Sequence, residues 1–198
     1  MNISADMVKT LRERTGVGMM ECKKALVEAE GDLDKAQENL RKKGLAAAAS
    51  RGDRATAEGA ISTYVHLGGQ IGVMLELNCE TDFVARNEQF QALSKDLCMH
   101  IAAAAPRFVT KDEVPAEEVE KEKEILMAQP DMANKPDNVK AKIIEGRIEK
   151  HYENVCLLHQ PFVKDPAVKI EELINQTIAT IGEKIVVKRF ARFVVGEA

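Results

Sequence analysis

Residues 61–78 read ISTYVHLGGQIGVMLELN, and this stretch decides the fold class. Apolar and polar side chains alternate on both sides of Gly68-Gly69, the pattern of two antiparallel strands joined by a tight turn. A third strand is predicted near the C-terminus, from Lys184 to Val195, where valine and phenylalanine are frequent. Helical periodicity fills most of the remaining chain. Because strands and helices are segregated, the sequence predicts an α+β fold with a three-stranded antiparallel sheet packed with helices.

The first fifty residues predict three short helices separated by glycines. Ser4 is a candidate N-cap for the first helix, and Gly16 is expected to end it. The second helix is expected to end at Gly31. Asp32 is the candidate N-cap of the third, which is expected to end at Gly44. Three helices with short connections form a small helical domain, and the arrangement is similar to a ubiquitin-associated domain.

A basic segment follows the three helices and marks the expected domain boundary. Residues 41–54 carry five basic side chains against one acid: Arg41, Lys42, Lys43, Arg51 and Arg54 against Asp53. A solvated linker is the favoured interpretation, and a phosphate-contacting segment is the alternative. We therefore expect a three-helix ubiquitin-associated-like domain with its basic linker at residues 1–54. An α+β core domain that mediates dimerisation is expected at residues 55–198.

Composition excludes several classes of protein. The 198 residues include 28 Lys or Arg and 32 Asp or Glu, a net charge of −4, which argues against binding nucleic acid over the whole surface. No apolar run approaches the ~20 residues of a membrane span, and the N-terminus lacks a signal pattern, so a cytoplasmic protein is expected. The four cysteines form no CxxC pair and are interpreted as buried thiols in a reducing compartment.

Catalytic and nucleotide-binding motifs are missing from the sequence. It contains no GxxxxGK[ST], GxGxxG, GxSxG or HExxH pattern, and its histidines show no metal-ligand spacing. We expect no catalytic residue, no metal and no cofactor. His100 lies one position off an apolar stripe and is predicted to be a surface or boundary residue. Cys79 is interpreted as structural, because the neighbouring Glu80 raises the pKa of a thiol rather than lowering it.

Two connecting segments carry large apolar side chains where polar residues are usual. In TGVGMM, residues 15–20, Met19 and Met20 follow a glycine turn, and methionine suits adaptable contact surfaces. The alternative is that both methionines fill the core of the helical domain. In NCETDFVARN, residues 78–87, Phe83 lies in a strand-to-helix connection, where an aromatic side chain makes a good anchor for a partner. The alternative is that Phe83 packs beneath the following helix.

The same two segments carry a family resemblance. LRERTGVGMMECKKAL at residues 11–26 and ELNCETDFVAR at residues 76–86 resemble the two signature sequences of bacterial elongation factor Ts. HQPFVKDP at residues 159–166 also resembles that family, so the similarity covers essentially the whole chain. Longer members carry a second core subdomain and an inserted helical hairpin. This chain resembles the short form with a single core module.

The resemblance implies a function and a set of contact residues. It implies a non-catalytic guanine-nucleotide exchange factor for the translation GTPase elongation factor Tu, which promotes GDP release and stabilises the nucleotide-free state. The residues that match the family's intruding turn, which disrupts the partner's Mg²⁺ and phosphate site, are Thr81, Asp82, Phe83 and Val84. Those expected to rest on the partner's nucleotide-binding domain are Leu11, Arg12, Val17, Gly18, Met19 and Met20.

The third strand suggests a second interface. Its alternation places Val186, Phe190 and Val194 on one face and Ile185, Val187 and Phe193 largely on the other. An open sheet face is normally polar, so an apolar one is expected to pack on another sheet. Short-form relatives pair through this sheet, and we expect a homodimer that forms a two-plus-two complex with elongation factor Tu. Two alternatives stay open: an RNA-binding module that uses residues 41–54, and a small thiol-dependent enzyme that uses Cys79.

Overall fold

The computed structural model describes residues 3–66, 68–133 and 135–197. Its helices are α1 (Ala5–Thr15), α2 (Met19–Glu28), α3 (Leu33–Ala49), α4 (Asp82–Ala85), α5 (Glu88–Ala104), α6 (Ala116–Met127), α7 (Asp137–Val155) and α8 (Ile170–Ile181). Its strands are β1 (Glu58–Val65), β2 (Ile71–Cys79), β3 (Pro161–Phe162), β4 (Asp165–Lys169) and β5 (Ile185–Val194). The predicted α+β fold is confirmed: three helices at the N-terminus and a three-stranded antiparallel sheet in the order β1-β2-β5. Strands β3 and β4 form a small second sheet that the sequence analysis missed.

The chain forms two compact units. One combines the N-terminal segment up to Ile61 with Glu76–Lys95 and Glu172–Val187. The other combines Ser62–Leu75 and Asp96–Glu171 with the C-terminal segment from Lys188. The boundary between residues 54 and 55 stays a prediction. No helix in the described ranges is both long enough and apolar enough to cross a membrane.

Local signals explain the three N-terminal helices. The Met7 N–H donates to Ser4 Oγ at 3.2 Å, and the Asp32 carboxylate accepts from the N–H groups of Asp34 and Lys35, so both residues are N-caps as expected. Gly16 ends α1 with a φ of 67°, which glycine adopts without strain. The helices enclose one apolar core of buried side chains: Val8, Leu11, Cys22, Ala25, Leu26, Ala29, Ala36 and Leu40.

The expectation that α3 ends at Gly44 is wrong. The helix continues to Ala49, and Gly44 is buried inside it. A Cβ atom built on Gly44 would lie 2.9 Å from the Cβ of Ala179 on α8, which is closer than two such carbons can approach. The glycine therefore serves close packing of α3 on α8 rather than a helix end. A single sequence cannot distinguish these two uses of a helical glycine.

The hairpin of β1 and β2 follows its sequence pattern. Gly68 and Gly69 have φ values of 85° and 70°, as a tight turn of this kind requires. In β2, Val73, Leu75, Leu77 and Cys79 are buried, and Met74 between them is exposed. The alternation is thus retained over the length of the strand.

The predicted assignment of β5 side chains to two faces stays a prediction, because burial changes along the strand. Ile185 and Val187 are buried, but Phe193, which a strict alternation puts on the same face, is 68% exposed. Two successive residues, Lys188 and Arg189, are exposed, so the buried part of the strand ends at Val187. Beyond this point the Arg192 Nε–H donates to the Ala102 carbonyl of α5 at 3.3 Å.

His100 on α5 also differs from its expected surface position. It is fully buried, and its ring lies between Gln160 Oε1, 2.9 Å from Nε2, and the Val163 N–H, which donates to Nδ1 at 3.3 Å. Burial lowers the pKa of His100, and the hydrogen bond with Gln160 opposes that shift. The contacts that bury the ring come from residues about sixty positions away, so local periodicity cannot reveal them.

We expect Gly44→Ala to destabilise the chain despite alanine's higher helix propensity. Overpacking costs about 1–3 kcal/mol, whereas replacing glycine inside a helix contributes at most about 1 kcal/mol. Thermal unfolding of Gly44→Ala should show a lower Tm, and Gly44→Ala/Ala179→Gly should recover most of it. The control is Gly146→Ala in α7, where an added Cβ meets nothing within 4 Å and the Tm should rise slightly. A Tm increase in Gly44→Ala would contradict the close-packing role.

Candidate functional site

The turn from β2 into α4 presents an exposed aromatic side chain. Phe83 is 82% exposed, although it is one of the largest apolar residues in the chain. The alternative in which Phe83 packs beneath the following helix is therefore excluded. An aromatic side chain that is not buried on folding is available to a partner.

Thr81 holds this turn at its first residue. It is the N-cap of α4, and its hydroxyl oxygen accepts the Val84 N–H at 3.4 Å. The same hydroxyl donates its hydrogen to Glu183 Oε1 at 2.7 Å, and the Thr81 N–H donates to Glu183 Oε2 at 3.0 Å. Thr81 thus lies inside the turn as a support, with its polar groups occupied within the chain.

The later residues of the turn are held by Arg86 and by Gln91 on α5. Asp82 pairs with Arg86 one helical turn later, so part of its charge is compensated within α4. Val84 is half-buried and Ala85 is buried. The side-chain amide of Gln91 on α5 donates to the Ala85 carbonyl at 2.5 Å. Of the four residues in the predicted turn, only Phe83 is strongly exposed.

The methionine segment between α1 and α2 is the second predicted site. Met19 is 47% exposed and Met20 is 69% exposed, so neither fills the helical core. Gly18 precedes α2 as its N-cap residue and is exposed, as is Arg12 on α1. Val17 packs partly against the helical core. This segment therefore presents an apolar surface formed mainly by Met19 and Met20, which we call the methionine surface.

Leu11 does not belong to that surface. Its side chain is fully buried in the core of α1–α3, so it cannot reach a partner without unfolding the helices. Leu11 points inwards because it lies on the apolar stripe of α1 with Val8. We remove it from the set of proposed contacts and assign it a structural role beneath the methionine segment.

A groove of about 550 Å³ lies beside the methionine segment. Arg12, Gly16 and Met19 line it together with Gln89 at the start of α5. The lining therefore includes residues of the N-terminal helices and a residue six positions after Phe83. A larger groove of about 740 Å³ runs along α6 and α7, and no residue of either predicted site lines it.

No metal-binding arrangement accompanies these surfaces in the part of the chain that the structure describes. Within it, no three His, Cys, Asp or Glu side chains are grouped so that they could hold a metal ion. Cys79 is fully buried, and burial, together with the nearby Glu183 carboxylate, raises the pKa of its thiol. Its Sγ donates to the Thr81 carbonyl at 3.1 Å, a structural contact.

Comparison with known proteins places this chain in a family. The family model described as Elongation factor TS matches residues 8–197. The chain belongs to the elongation factor Ts family. Elongation factor Ts of Desulforamulus reducens is 58% identical over 98% of this chain and 90% of the relative. The Geobacter sulfurreducens and Caldanaerobacter subterraneus subsp. tengcongensis proteins of that name are 56% and 55% identical, over 100% and 98% of this chain and 91% and 98% of the relatives. As a member of the elongation factor Ts family, the chain is an elongation factor of protein biosynthesis.

Sequence reasoning missed the residues that hold the elongation factor Ts signature turn in place. Glu183 lies 102 positions after Thr81, and no local motif connects the two. The Glu80 carboxylate, which lies inside the signature directly before Thr81, accepts the Lys184 N–H at 2.7 Å. The spacing of four residues between Asp82 and Arg86 is a sequence signal that could have indicated their ion pair.

The side chains of Phe83 and Leu11 differ in exposure, so we expect their replacement by alanine to affect stability differently. Phe83→Ala should leave the Tm and the far-ultraviolet circular dichroism unchanged, because its side chain is exposed. Leu11→Ala should reduce the free energy of unfolding by about 2–5 kcal/mol, because it leaves a cavity in the core of α1–α3. Chemical denaturation of both variants measures this difference. Marked destabilisation by Phe83→Ala would show that Phe83 is a core residue in solution.

Proposed function

We propose that this chain is a non-catalytic guanine-nucleotide exchange factor for elongation factor Tu. The observation that carries the proposal is Phe83, exposed at 82% on a turn whose backbone is held on both sides. Membership of the elongation factor Ts family supports the partner, and the resemblance of residues 76–86 to the family's intruding turn supports the mode of contact. We further propose that the factor acts in the cytoplasm, where protein synthesis takes place.

The proposed mechanism is differential binding and needs no covalent step. Phe83 inserts beside the partner's Mg²⁺ and phosphate site and fits only the conformation in which the nucleotide-binding loops are displaced. A ligand shifts such an equilibrium by its difference in affinity for the two states and by no more. If the factor weakens GDP binding by some ratio, GDP weakens factor binding by the same ratio. Incoming GTP then displaces the factor.

Asp82 has a defined part in this mechanism. Its carboxylate brings negative charge towards a site where phosphates and Mg²⁺ balance each other, and it disfavours nucleotide phosphate there. In the free chain Arg86 pairs with that carboxylate. The pair is largely exposed, so exchanging Arg86 for a contact with the partner costs little. Asp82 can therefore change partners when the turn inserts.

The methionine surface supplies affinity rather than exchange in this proposal. Met19 and Met20 are exposed, flexible and polarizable, which suits contact with an apolar helix surface. They do not touch the nucleotide site, so they bind both nucleotide states of the partner about equally. Uniform binding of this kind changes affinity and leaves the saturated rate unaltered.

The two alternative functions have less support. The basic side chains of residues 41–54 each contact an acidic side chain or a carbonyl group within the chain, so a phosphate would have to compete with these contacts. Their contacts are Arg41 with Glu172, Lys42 with Glu38, Lys43 with Glu28, Arg51 with the Ala47 and Gly182 carbonyls, and Arg54 with Glu80. A thiol-dependent enzyme requires an accessible thiolate, whereas Cys79 is buried and its pKa is raised.

Stopped-flow release of a fluorescent GDP analogue from elongation factor Tu tests the proposal. The wild-type chain should accelerate release. Phe83→Ala should weaken binding to the nucleotide-free partner and slow catalysed release about tenfold or more, which corresponds to ~1.4 kcal/mol or above. Met20→Ala should lower affinity but keep the rate at saturating factor.

The matched control is Ile125→Ala, which removes a half-exposed apolar side chain from α6 and should have no effect on release. Wild-type release rates for both Phe83→Ala and Asp82→Ala would rule out the intruding turn as the mechanism. Failure of the wild-type chain to accelerate release would rule out the exchange function itself.

We also propose that the chain is a homodimer that binds two copies of elongation factor Tu. We infer that the exposed side chains Val65 on β1, Met74 on β2, Phe193 on β5 and Val195 directly after it belong to one apolar sheet surface. An open sheet face is normally polar, so this one is suited to pack on a second copy. A specific dimer should bury on the order of 1,200–2,000 Å² in total.

Sedimentation at micromolar concentration tests the dimer. The wild-type chain should sediment with twice its monomer mass of 21.9 kDa. Phe193→Glu places a charge in the apolar sheet surface and should shift the population to monomer, because an unpaired buried charge is strongly unfavourable. Ile125→Glu, a charge added on α6 instead of the sheet, should remain dimeric. A wild-type chain found only at 21.9 kDa would refute the dimer.

A further inference from the structure

Two turns that are distant in sequence each supply a carboxylate to the other's backbone. The turn at the end of β2 contributes Glu80, whose Oε1 accepts the Lys184 N–H at 2.7 Å. The turn between α8 and β5 contributes Glu183, whose two oxygens accept the Thr81 N–H and hydroxyl at 3.0 and 2.7 Å. We call these four residues, Glu80, Thr81, Glu183 and Lys184, the carboxylate clamp. Hydrogen bonds to an ionised carboxylate are among the stronger ones in proteins.

A third segment ties the clamp to the N-terminal helices. The Lys184 ammonium donates to the carbonyls of Gly52 and Arg54 at 2.5 and 3.0 Å. The Arg51 Nε–H donates to the Gly182 carbonyl at 3.0 Å, and the Arg54 guanidinium pairs with Glu80 at 3.1 Å. The segment after α3 is thus fastened by both charged side chains and backbone groups.

The carboxylate clamp includes Thr81, the N-cap residue directly before α4. This helix has only four residues, and a single turn of helix is not stable by itself. Its start depends on Thr81, whose hydroxyl accepts from the Val84 N–H while donating to Glu183. Removing Glu183 leaves that hydroxyl free to rotate and the Thr81 N–H without its acceptor. The orientation of Phe83, two residues further on, then loses its support.

We propose that Glu183 and Glu80 are positioning residues that hold Phe83 in its inserting orientation before the partner arrives. This inference rests on the proposed exchange function and adds the residues that prepare the turn for it. A side chain that is already oriented loses less conformational freedom on binding. If only a fraction of the molecules holds the turn correctly, the apparent dissociation constant rises by the inverse of that fraction.

The variant Phe83→Trp reports on the carboxylate clamp without any partner. The chain contains no tryptophan, so Phe83→Trp introduces a single fluorophore at the turn. Time-resolved anisotropy of Phe83→Trp should show restricted motion. Adding Glu183→Ala should increase the fast local component, and Glu183→Gln, which retains one acceptor oxygen, should restore part of the restriction. Glu171→Ala, an exposed glutamate on α8, is the matched control and should change nothing.

The exchange assay then measures whether the held orientation matters. With the partner GTPase, Glu183→Ala should weaken binding and slow GDP-analogue release about tenfold, while Glu171→Ala matches the wild-type chain. Phe83→Ala should have a much smaller effect in the Glu183→Ala background than in the wild-type chain, because both changes remove the same contribution. A purely structural role for Glu183 would lower the Tm and leave the two effects additive.

The outcomes separate the two proposals. Unchanged anisotropy in Glu183→Ala, or wild-type exchange by that variant, would overturn the positioning role alone. A wild-type chain that does not accelerate release would overturn the exchange function, and with it the purpose assigned to the clamp, even if the anisotropy changes as expected. If Glu183→Ala unfolds, Glu183→Gln and Glu80→Gln carry the same comparison, and wild-type values for both would overturn the positioning role.

Discussion

The return of β5 to the sheet is the constraint on which the rest of this structure depends. The strand begins at Ile185, more than a hundred residues after β2 ends at Cys79, yet the two strands are neighbours in the sheet. Closing so long a loop costs chain entropy, and local strand and helix propensities do not offset that cost. The turn before β5 is held to the turn after β2 by Glu80 with the Lys184 N–H and by Glu183 with Thr81. Buried Ile185 and Val187 add apolar contact directly afterwards.

The contact between these two turns lies directly beside the exposed side chain of Phe83, which is proposed to bind the partner. Polar groups at the two turns satisfy one another, so the backbone between β2 and α4 is fixed without burying Phe83. A large aromatic residue can then remain in water because the stability of the turn does not depend on it. In the N-terminal helices Leu11 supplies the core while Met19 and Met20 remain outside. Stability and partner contact are thus assigned to different side chains, often neighbours in sequence.

The segment after α3 is attached to the rest of its compact unit by specific contacts. Its composition is typical of a solvated linker, and a solvated linker would let the N-terminal helices move independently. Instead α3 continues to Ala49, Gly44 lies against Ala179, and Arg51 and Arg54 are fastened to Gly182 and Glu80. The methionine surface and the Phe83 turn both belong to one compact unit. Basic residues here contact acidic side chains and carbonyl groups of the chain itself.

The sequence alone was enough for the α+β class, the hairpin at Gly68-Gly69, the helix caps at Ser4 and Asp32, and the two family signatures. Each of these depends on residues close together in the chain, where periodicity and capping preferences act directly. It was not enough for the burial of His100 or for the use of Gly44 for close packing. The exposure of Phe193 and the pairing of Glu183 with Thr81 were likewise decided only by the tertiary structure. In these cases the contacts that determine the side chain's environment come from residues distant in sequence. Local periodicity therefore cannot show whether the side chain is buried or exposed.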